Sequence, residues 1–201
     1  MDLSIIIPVY NLEKYINRML LSLKSQKTTY NVEYIFVLNN CTDNSENVIR
    51  ESGLECIVTT CEEQGCGPAR NEGLKIAKGN YIWMMDGDDW LLSDTAIQEV
   101  LDKAYDEDLD ILYIPFKSNL FRGMYFSMVW QYLLKKEFIK EFTFPNTQPA
   151  EDDQYMLEVL KKAGKDRNTY VFLPQMPYAL YYYNYLREGS NMYRYFQGEK
   201  I

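Results

Sequence analysis

The segment Tyr81-Ile82-Trp83-Met84-Met85-Asp86-Gly87-Asp88-Asp89-Trp90 joins a short apolar run directly to three carboxylates. A continuous apolar run of this length is typical of a strand buried on both faces of a parallel sheet. Ligands bind beyond the carboxyl ends of such strands, which is where the aspartates fall. Because neighbouring carboxylates repel one another, the cluster indicates a cation, and an all-oxygen donor set suits Mg²⁺ or Mn²⁺ shared with a phosphate. The alternative is a solvated acidic turn that caps the next helix.

Four more apolar runs predict that this strand belongs to an α/β fold. They are Leu3–Val9, Val32–Leu38, Leu54–Thr59 and Asp110–Phe116. Segments between the runs carry helical periodicity, with Asn11 as a candidate N-cap for the first helix and Ser93 and Asp94 before a later one. Alternating strands and helices predict a three-layer α/β/α domain with a mainly parallel central sheet, comparable to a Rossmann fold.

The second half of the chain is predicted to be less regular. After Phe116, aromatic strand-like pieces surround one clear helix at 153–163. These pieces are Tyr125–Leu134, Tyr170–Leu173 and Tyr178–Tyr185. Since no linker or internal repeat interrupts the 201 residues, we expect a single domain, residues 1–201, with a regular half at 1–116 and an irregular half at 117–201.

The amino-acid composition excludes several kinds of catalytic site. The chain has no histidine, so a Ser-His-Asp triad, a Cys-His dyad and histidine metal ligands are all excluded. A general base must then be a carboxylate, or else Lys, Tyr or Cys. The 29 acidic and 21 basic side chains give a net charge of −8, which argues against broad nucleic-acid binding. The absence of a GxxxxGK motif excludes a P-loop NTPase.

Several features favour a cytoplasmic location. No apolar run in the sequence is long enough to span a bilayer, and the N-terminus lacks the basic start of a signal peptide. The four cysteines form no CxxC pair. One segment, 135–142, sets three lysines beside three apolar side chains and is a candidate contact with the inner face of an anionic membrane. A solvated amphipathic helix is the alternative interpretation of that segment.

Three other strand ends carry polar or glycine-bearing segments. After the first strand, Tyr10 can stack on a planar ligand or simply pack at the start of the helix. The segment after the second strand, 39–45, consists of short polar side chains that favour a turn. The segment Gly65–Gly73 opens a helix and carries Arg70, a candidate diphosphate contact. It lacks the third glycine of a GxGxxG motif, so it does not indicate a dinucleotide oxidoreductase.

Taken in order, these segments resemble the inverting glycosyltransferases of family 2, which have the GT-A fold. The matching motifs are SIIIPVYN at 4–11, the turn ending in TDNS at 42–45, ARNEGLKIAKGNYIWMMDGDDW at 69–90 and Glu-Asp at 151–152. The resemblance is close over residues 3–92 and thinner through Tyr183, Arg187 and Ser190. It implies that residues 1–116 bind a nucleotide sugar and that residues 117–201 shape the acceptor cleft.

The resemblance assigns a nucleotide pocket residue by residue. It implies that Pro8, Tyr10 and Asn39 line the nucleoside pocket, with Tyr10 against the base, and that Arg70 helps to hold the nucleotide. Many relatives carry two aspartates where this chain has Leu38 and Asn39. An asparagine side chain both donates and accepts hydrogen bonds, so the implied preference for uracil is weaker here.

The resemblance also assigns the acidic turn. Asp86 and Asp88 correspond to the DxD pair, with Asp86 toward the ribose and Asp88 on a Mn²⁺ or Mg²⁺ ion, and both are candidate metal ligands. Asp89 and Trp90 are implied to lie near the donor sugar or acceptor. Arg187, with Ser190, is implied to lie near the donor phosphates or on a closing loop.

A second acidic cluster, Glu151-Asp152-Asp153, precedes the predicted helix at 153–163. Acidic residues at a helix N-terminus are common because they interact favourably with the helix dipole, and this is the structural interpretation. The family resemblance instead implies that Asp152 is the general base, with Glu151 near the donor sugar or acceptor. Asp153 is the alternative base if the register differs by one residue.

The resemblance therefore predicts a metal-dependent inverting glycosyltransferase. Its donor would be a nucleoside-diphosphate sugar, with UDP-sugars favoured, and its acceptor a hydroxyl on a glycan or lipid-linked glycan during polysaccharide assembly. Two alternatives keep the same fold: a nucleotide-sugar-binding protein without a working base, and a subunit that acts only with a partner.

Overall fold

Strands and helices alternate through the first half of the chain, and the computed structural model describes residues 1–118, 128–147, 151–164 and 178–184. The strands are β1 (Leu3–Val9), β2 (Val32–Asn39), β3 (Ile57–Cys61), β4 (Tyr81–Met84), β5 (Trp90–Leu91), β6 (Ile111–Tyr113), β7 (Phe116–Ser118), β8 (Tyr132–Lys135) and β9 (Tyr181–Tyr183). The helices are α1 (Ile16–Lys24), α2 (Ser45–Glu51), α3 (Cys66–Ile76), α4 (Ala96–Asp106), α5 (Lys136–Ile139) and α6 (Glu151–Lys162). A 3₁₀ turn spans Val129–Gln131.

The central sheet has the spatial order β3-β2-β1-β4-β8-β6. The first four of these strands pair in parallel, and β8 runs antiparallel to both of its neighbours. Side chains of β1 alternate between the two faces: Ile5 and Ile7 pack in a cluster with α1 and α4, and Ile6 packs in a cluster with α3 and α6. Both faces of the sheet are therefore covered by helices, which confirms the predicted three-layer α/β/α architecture.

Two predicted strands differ from the observed ones. β3 begins at Ile57 rather than Leu54, since its pairing with β2 starts at Ile57. The predicted strand Asp110–Phe116 is divided into β6 and β7, which belong to different sheets. Pro115, which has no N–H to donate to a ladder, lies between them, and the chain changes sheets at that point.

A second sheet, with the order β5-β9-β7, brings the end of the described chain against the acidic turn. β9 is antiparallel to β5 and parallel to β7. Of the predicted aromatic pieces, Tyr178–Tyr185 supplies β9, and the described part of Tyr125–Leu134 forms the 3₁₀ turn and β8. Tyr170–Leu173 lies outside the described residues. The helix predicted at 153–163 is α6, which begins two residues earlier, at Glu151.

Asn11 does not cap α1, contrary to the sequence-based prediction. The N-cap position of α1 is Tyr15, four residues later. Asn11 has a φ of 50°, a left-handed conformation that asparagine tolerates better than most residues. Its Oδ1 accepts a hydrogen bond from the Thr42 N–H at 2.8 Å. Asn11 therefore joins the loop after β1 to the loop after β2.

The basic segment 135–142 turns its apolar side chains inward. Ile139 is buried, and Phe138 and Phe142 pack against the same core cluster as α6. The ammonium of Lys162 lies 4.6 Å from the centre of the Phe138 ring. Within the ranges that the structure describes, no helix combines the length and apolar character needed to cross a bilayer.

Candidate active site

The acidic turn, Asp86–Asp89, lies at the carboxyl end of β4, beside the carboxyl end of β1. The Met85 N–H donates to the Ile6 carbonyl at 3.0 Å, and the Asp89 N–H closes the turn on the Asp86 carbonyl at 3.0 Å. A Cβ at Gly87 would lie 2.5 Å from Leu12 Cδ1, so the turn packs closely on the segment after β1, and a larger residue would require the Leu12 side chain to move. The turn is thereby held next to the loop that carries Tyr10.

Arg70 on α3 connects the acidic turn with the start of α6. Its Nη2 donates to Asp86 Oδ1 at 2.9 Å, and its Nη1 donates to Glu151 Oε1 at 3.3 Å and to Asp152 Oδ1. Burial opposes the charge on Arg70, but attraction to the carboxylates outweighs it, so the pKa of Arg70 lies above its usual value. The buried Arg70 guanidinium thus joins the buried Glu151 and Asp152 carboxylates to the partly exposed Asp86 in one network.

The position of Arg70 differs from the sequence-based expectation of a diphosphate contact. Only 3% of its side chain is exposed, and both Nη atoms already donate to carboxylates. The Phe144 ring lies 5.5 Å from the guanidinium carbon and covers the group further. A nucleotide could reach this guanidinium only by displacing its carboxylate partners.

Asp152 has the environment of a general base. Its Oδ1 accepts from Arg70, and its Oδ2 accepts from the Val129 N–H at 3.4 Å. Burial raises the pKa of Asp152 to about 7, with Arg70 opposing the rise and the Glu151 and Asp86 carboxylates adding to it. A carboxylate that titrates near neutral pH can accept a proton and release it again. Asp152 is the aspartate of this cluster that contacts Arg70 and Val129.

Asp89 anchors the second sheet rather than facing a ligand. It is fully buried, its Oδ2 accepts from the Tyr181 hydroxyl at 2.5 Å, and its Oδ1 accepts from the Asn184 N–H at 2.7 Å. Burial, followed by the nearby Asp88 and Asp86 charges, raises the pKa of Asp89 well above its usual value. The expectation that Asp89 approaches the donor sugar does not fit this geometry, because its carboxyl has no exposed surface.

Trp90 is also placed differently from the expectation. The Arg18 guanidinium carbon lies 3.4 Å from the centre of the indole, and the Tyr182 ring stacks on it at 4.0 Å with an angle of 11°. Two groups this close to one ring centre cannot share a face, so both faces of Trp90 are covered. The ring therefore has no free face on which a sugar could stack.

The predicted nucleoside pocket is partly open. Tyr10, directly after β1, is 48% exposed and can accept a planar base, and Pro8 lies buried within β1 beside it. Asn39 is turned toward the protein instead. Its Nδ2 donates to the Cys61 and Glu63 carbonyls at 3.1 and 2.7 Å. Asn39 therefore holds the β3–α3 loop in place, and both of its amide hydrogens are used there.

Two predicted site residues, Arg187 and Ser190, lie outside the described residues. Two residues with no distinguishing sequence motif also belong to the site: Val129, whose N–H donates to Asp152, and Phe144 beside Arg70. Tyr181 stands in a tyrosine-rich run, but its sequence context did not distinguish it from its neighbours. A backbone N–H carries no sequence signal, and both aromatic residues are brought to the site by tertiary packing.

The acidic turn has two carboxylates that could hold a divalent metal together with phosphate oxygens. Asp86 and Asp88 are partly exposed, and Asp86 uses one oxygen for Arg70. Among the described residues, no group of three or more His, Cys, Asp or Glu side chains is arranged to hold a metal ion. Mg²⁺ and similar ions are commonly held by one or two carboxylates together with substrate phosphates, and these two residues suit that arrangement.

The sheet has an acidic turn after β4, and an arginine links this turn to a buried carboxylate. Together with the strand order, these features are typical of a GT-A domain of the glycosyltransferase class. The model of Glycosyl transferase family 2 matches residues 4–169, and the chain belongs to this family. Poly(ribitol-phosphate) beta-glucosyltransferase of Bacillus spizizenii is 30% identical over 222 residues. That alignment covers 96% of this chain and 33% of the relative, so the chain spans about a third of its length.

Two solved structures share the fold. Residues 1–349 of TarS from S. aureus, in complex with UDP-GlcNAc, superpose with a TM-score of 0.80 at 24% identity, covering 96% of this chain and 61% of that one. The mannosyltransferase PcManGT from Pyrobaculum calidifontis, in complex with GDP-Man and Mn²⁺, gives 0.74 at 15% identity, covering 96% and 59%. These likenesses confirm the predicted GT-A fold.

Proposed function

We propose that this chain is the donor-binding and catalytic domain of an inverting glycosyltransferase, which moves a sugar from a nucleoside diphosphate to a hydroxyl acceptor. The observation that carries the proposal is the position of Asp152, a buried carboxylate whose pKa is about 7 and which Arg70 connects to the acidic turn. This combination supplies a base beside a donor site. Membership of family 2 supports the same reaction class.

The reaction is a single displacement. Asp152 accepts the proton of the acceptor hydroxyl while that oxygen attacks the anomeric carbon. The bond between this carbon and the diphosphate breaks on the opposite face, so the nucleoside diphosphate leaves and the anomeric configuration is inverted. Tyr10 stacks on the base and fixes the donor at the edge of the sheet. Asp152 needs no histidine partner, because burial, together with the nearby Glu151 and Asp86 carboxylates, brings its pKa to about 7.

Asp88 and Asp86 would hold a divalent metal against the donor diphosphate. When bound there, Mn²⁺ or Mg²⁺ would supply positive charge to offset the negative charge that develops on the leaving diphosphate. Arg70 balances the charge of Asp86 from the protein side. The partial exposure of Asp86 and Asp88, compared with the full burial of Asp89, supports assigning the metal to the first two.

We favour a UDP-sugar as donor and a hydroxyl of a cell-surface polymer or lipid-linked glycan as acceptor. The relatives' names support this choice: one is a poly(ribitol-phosphate) glucosyltransferase, and TarS was solved with UDP-GlcNAc. PcManGT was solved with GDP-Man, so a guanine donor is the competitor. A UDP-sugar donor is also consistent with the proposed location in the cytoplasm.

Binding and turnover test the proposal without knowledge of the acceptor. UDP, GDP and dTDP are titrated by calorimetry with Mn²⁺ and again with EDTA, and the matching sugar nucleotides are then assayed for slow hydrolysis, with water as the acceptor. We expect one diphosphate to bind in a metal-dependent manner and its sugar nucleotide to release that diphosphate. A chain that binds none of the three and hydrolyses none of their sugars would overturn the proposal.

A further inference from the structure

We infer that Arg70 is a positioning residue, which fixes the Asp152 carboxylate relative to the acidic turn and makes no contact with the nucleotide. The inference rests on the proposed function, since it assigns a role within the same site. It differs from the expectation, drawn from the family resemblance, that Arg70 holds the donor nucleotide. The hydrogen bonds of the guanidinium and its burial support this role for Arg70.

The guanidinium joins three separate parts of the fold. It extends from α3, and its two Nη atoms point in different directions, Nη2 to Asp86 after β4 and Nη1 to Glu151 and Asp152 on α6. Its planar, rigid fork fixes both directions at once, which a lysine ammonium does not do. The distance between the donor turn and the base is therefore set by one side chain.

The residues packed around Arg70 restrict the movement of its side chain. Asn71, the next residue on α3, exchanges two hydrogen bonds with the backbone of Phe144, at 2.9 and 2.8 Å. The Phe144 ring stacks on Tyr155 of α6 at 3.8 Å. Gly67 lies one turn before Arg70 on α3, and a Cβ there would lie 2.6 Å from the Pro145 carbonyl oxygen. The segment 144–145 therefore runs close against α3. The segment 144–145 thus connects α3 to α6 beside the guanidinium of Arg70.

The charges around Arg70 argue against a nucleotide contact. Three carboxylates, from Asp86, Glu151 and Asp152, already surround one cation. A diphosphate that replaced Glu151 or Asp152 would leave a buried carboxylate without its partner, which is strongly unfavourable. It would also enter a cluster that already has an excess of negative charge. The diphosphate is better accommodated at the exposed side of the turn, where Asp86 and Asp88 meet solvent.

The variant Arg70→Lys distinguishes a positioning role from a nucleotide-binding role. It keeps the positive charge of the side chain and removes the two divergent Nη donors. We expect the UDP affinity in Mn²⁺ to stay within about threefold of the wild type, since no nucleotide contact is lost. The rate of UDP-GlcNAc hydrolysis at saturating donor should fall by about a hundredfold, which is typical when a reacting group moves by about 1 Å. Arg70→Gln should lower the rate further with the same affinity. The matched control is Arg50→Lys, at an exposed ion pair on α2, which should change neither quantity.

Thermal unfolding of each variant shows whether the fold is retained. If Arg70→Gln fails to fold because its carboxylates lose their cation, the double variant Arg70→Gln with Glu151→Gln restores the balance of charge and takes its place. A loss of UDP affinity of about tenfold or more in Arg70→Lys, or a rate equal to that of the wild type, would overturn the inference. If instead the wild type neither binds UDP, GDP or dTDP nor hydrolyses their sugars, the proposed function fails, and the inference falls with it.

Discussion

Tyr181 donates its hydroxyl to the buried carboxylate of Asp89 at 2.5 Å, across 92 residues of sequence. The same hydroxyl oxygen accepts the Asp86 N–H at 3.2 Å. One side chain from the second sheet therefore holds both ends of the acidic turn. The irregular half of the chain thus holds the acidic turn of the regular half in place.

Tyr181→Phe should destabilise the protein by about 1–3 kcal/mol, because Asp89 and the Asp86 N–H both lose a buried partner. Denaturant unfolding measures the change. Tyr155→Phe is the matched control, since the Tyr155 hydroxyl is buried with no hydrogen-bond partner among the described residues. That control should be neutral or slightly stabilising. Equal losses of unfolding free energy in the two variants would show that the hydrogen bonds of the Tyr181 hydroxyl do not stabilise the protein.

The pH dependence of turnover should report the ionisation of Asp152. Burial raises its pKa to about 7, and only the ionised form accepts a proton. The rate at saturating donor should therefore fall about tenfold per pH unit below pH 7 and level off above it. A rate profile that stays flat down to pH 5 would contradict this assignment, since it would describe a base with an ordinary carboxylate pKa.

Asp88→Ala should abolish metal-dependent turnover while the domain stays folded, because the side chain is partly exposed at the edge of the sheet and is not part of the apolar core. UDP binding in the variant should no longer differ between Mn²⁺ and EDTA. Calorimetry with both additions measures this directly. Asp94→Ala, at an exposed ion pair with Lys27, is the control and should retain the metal effect. A full metal response in Asp88→Ala would remove Asp88 from the metal site.

Tyr10→Ala should weaken UDP binding by about 1–3 kcal/mol, the usual contribution of an aromatic side chain stacked on a base. Tyr10 is about half exposed at the end of β1, so its truncation leaves no cavity in the core. Tyr10→Phe keeps the ring and should bind UDP as the wild type does. If Tyr10→Ala binds UDP normally, the base lies elsewhere.

Much of the fold could be predicted from the sequence because the apolar runs are long enough to specify buried parallel strands. In the structure, Ile5 and Ile7 of the run at 3–9 lie in one core cluster and Ile6 lies in the other. Its polar residue, Ser4, is buried with its hydroxyl donating to Glu33. The division at Pro115 was missed because the residues on both sides of it are equally apolar or aromatic. Whether such a run continues in one sheet depends on tertiary pairing.

The site was predictable in outline but not in detail. Motif order placed Asp86, Asp88 and Asp152 near one another, and the structure joins Asp86 to Asp152 through Arg70. The sequence could not show which polar side chains turn inward. Asn39 and Asp89 are both buried by hydrogen bonds to distant backbone groups, and neither bond leaves a local pattern.

Replacing Asp152 by asparagine tests whether Asp152 is the general base, because the change removes the proton-accepting carboxylate and preserves the shape of the side chain. The measurement is UDP-GlcNAc hydrolysis in Mn²⁺, compared with the wild type and with Asp153→Asn, alongside UDP affinity. The account predicts that Asp152→Asn loses at least about a hundredfold in rate and keeps its UDP affinity, while Asp153→Asn retains most of its activity. Wild-type turnover by Asp152→Asn, or a loss confined to Asp153→Asn, would contradict it.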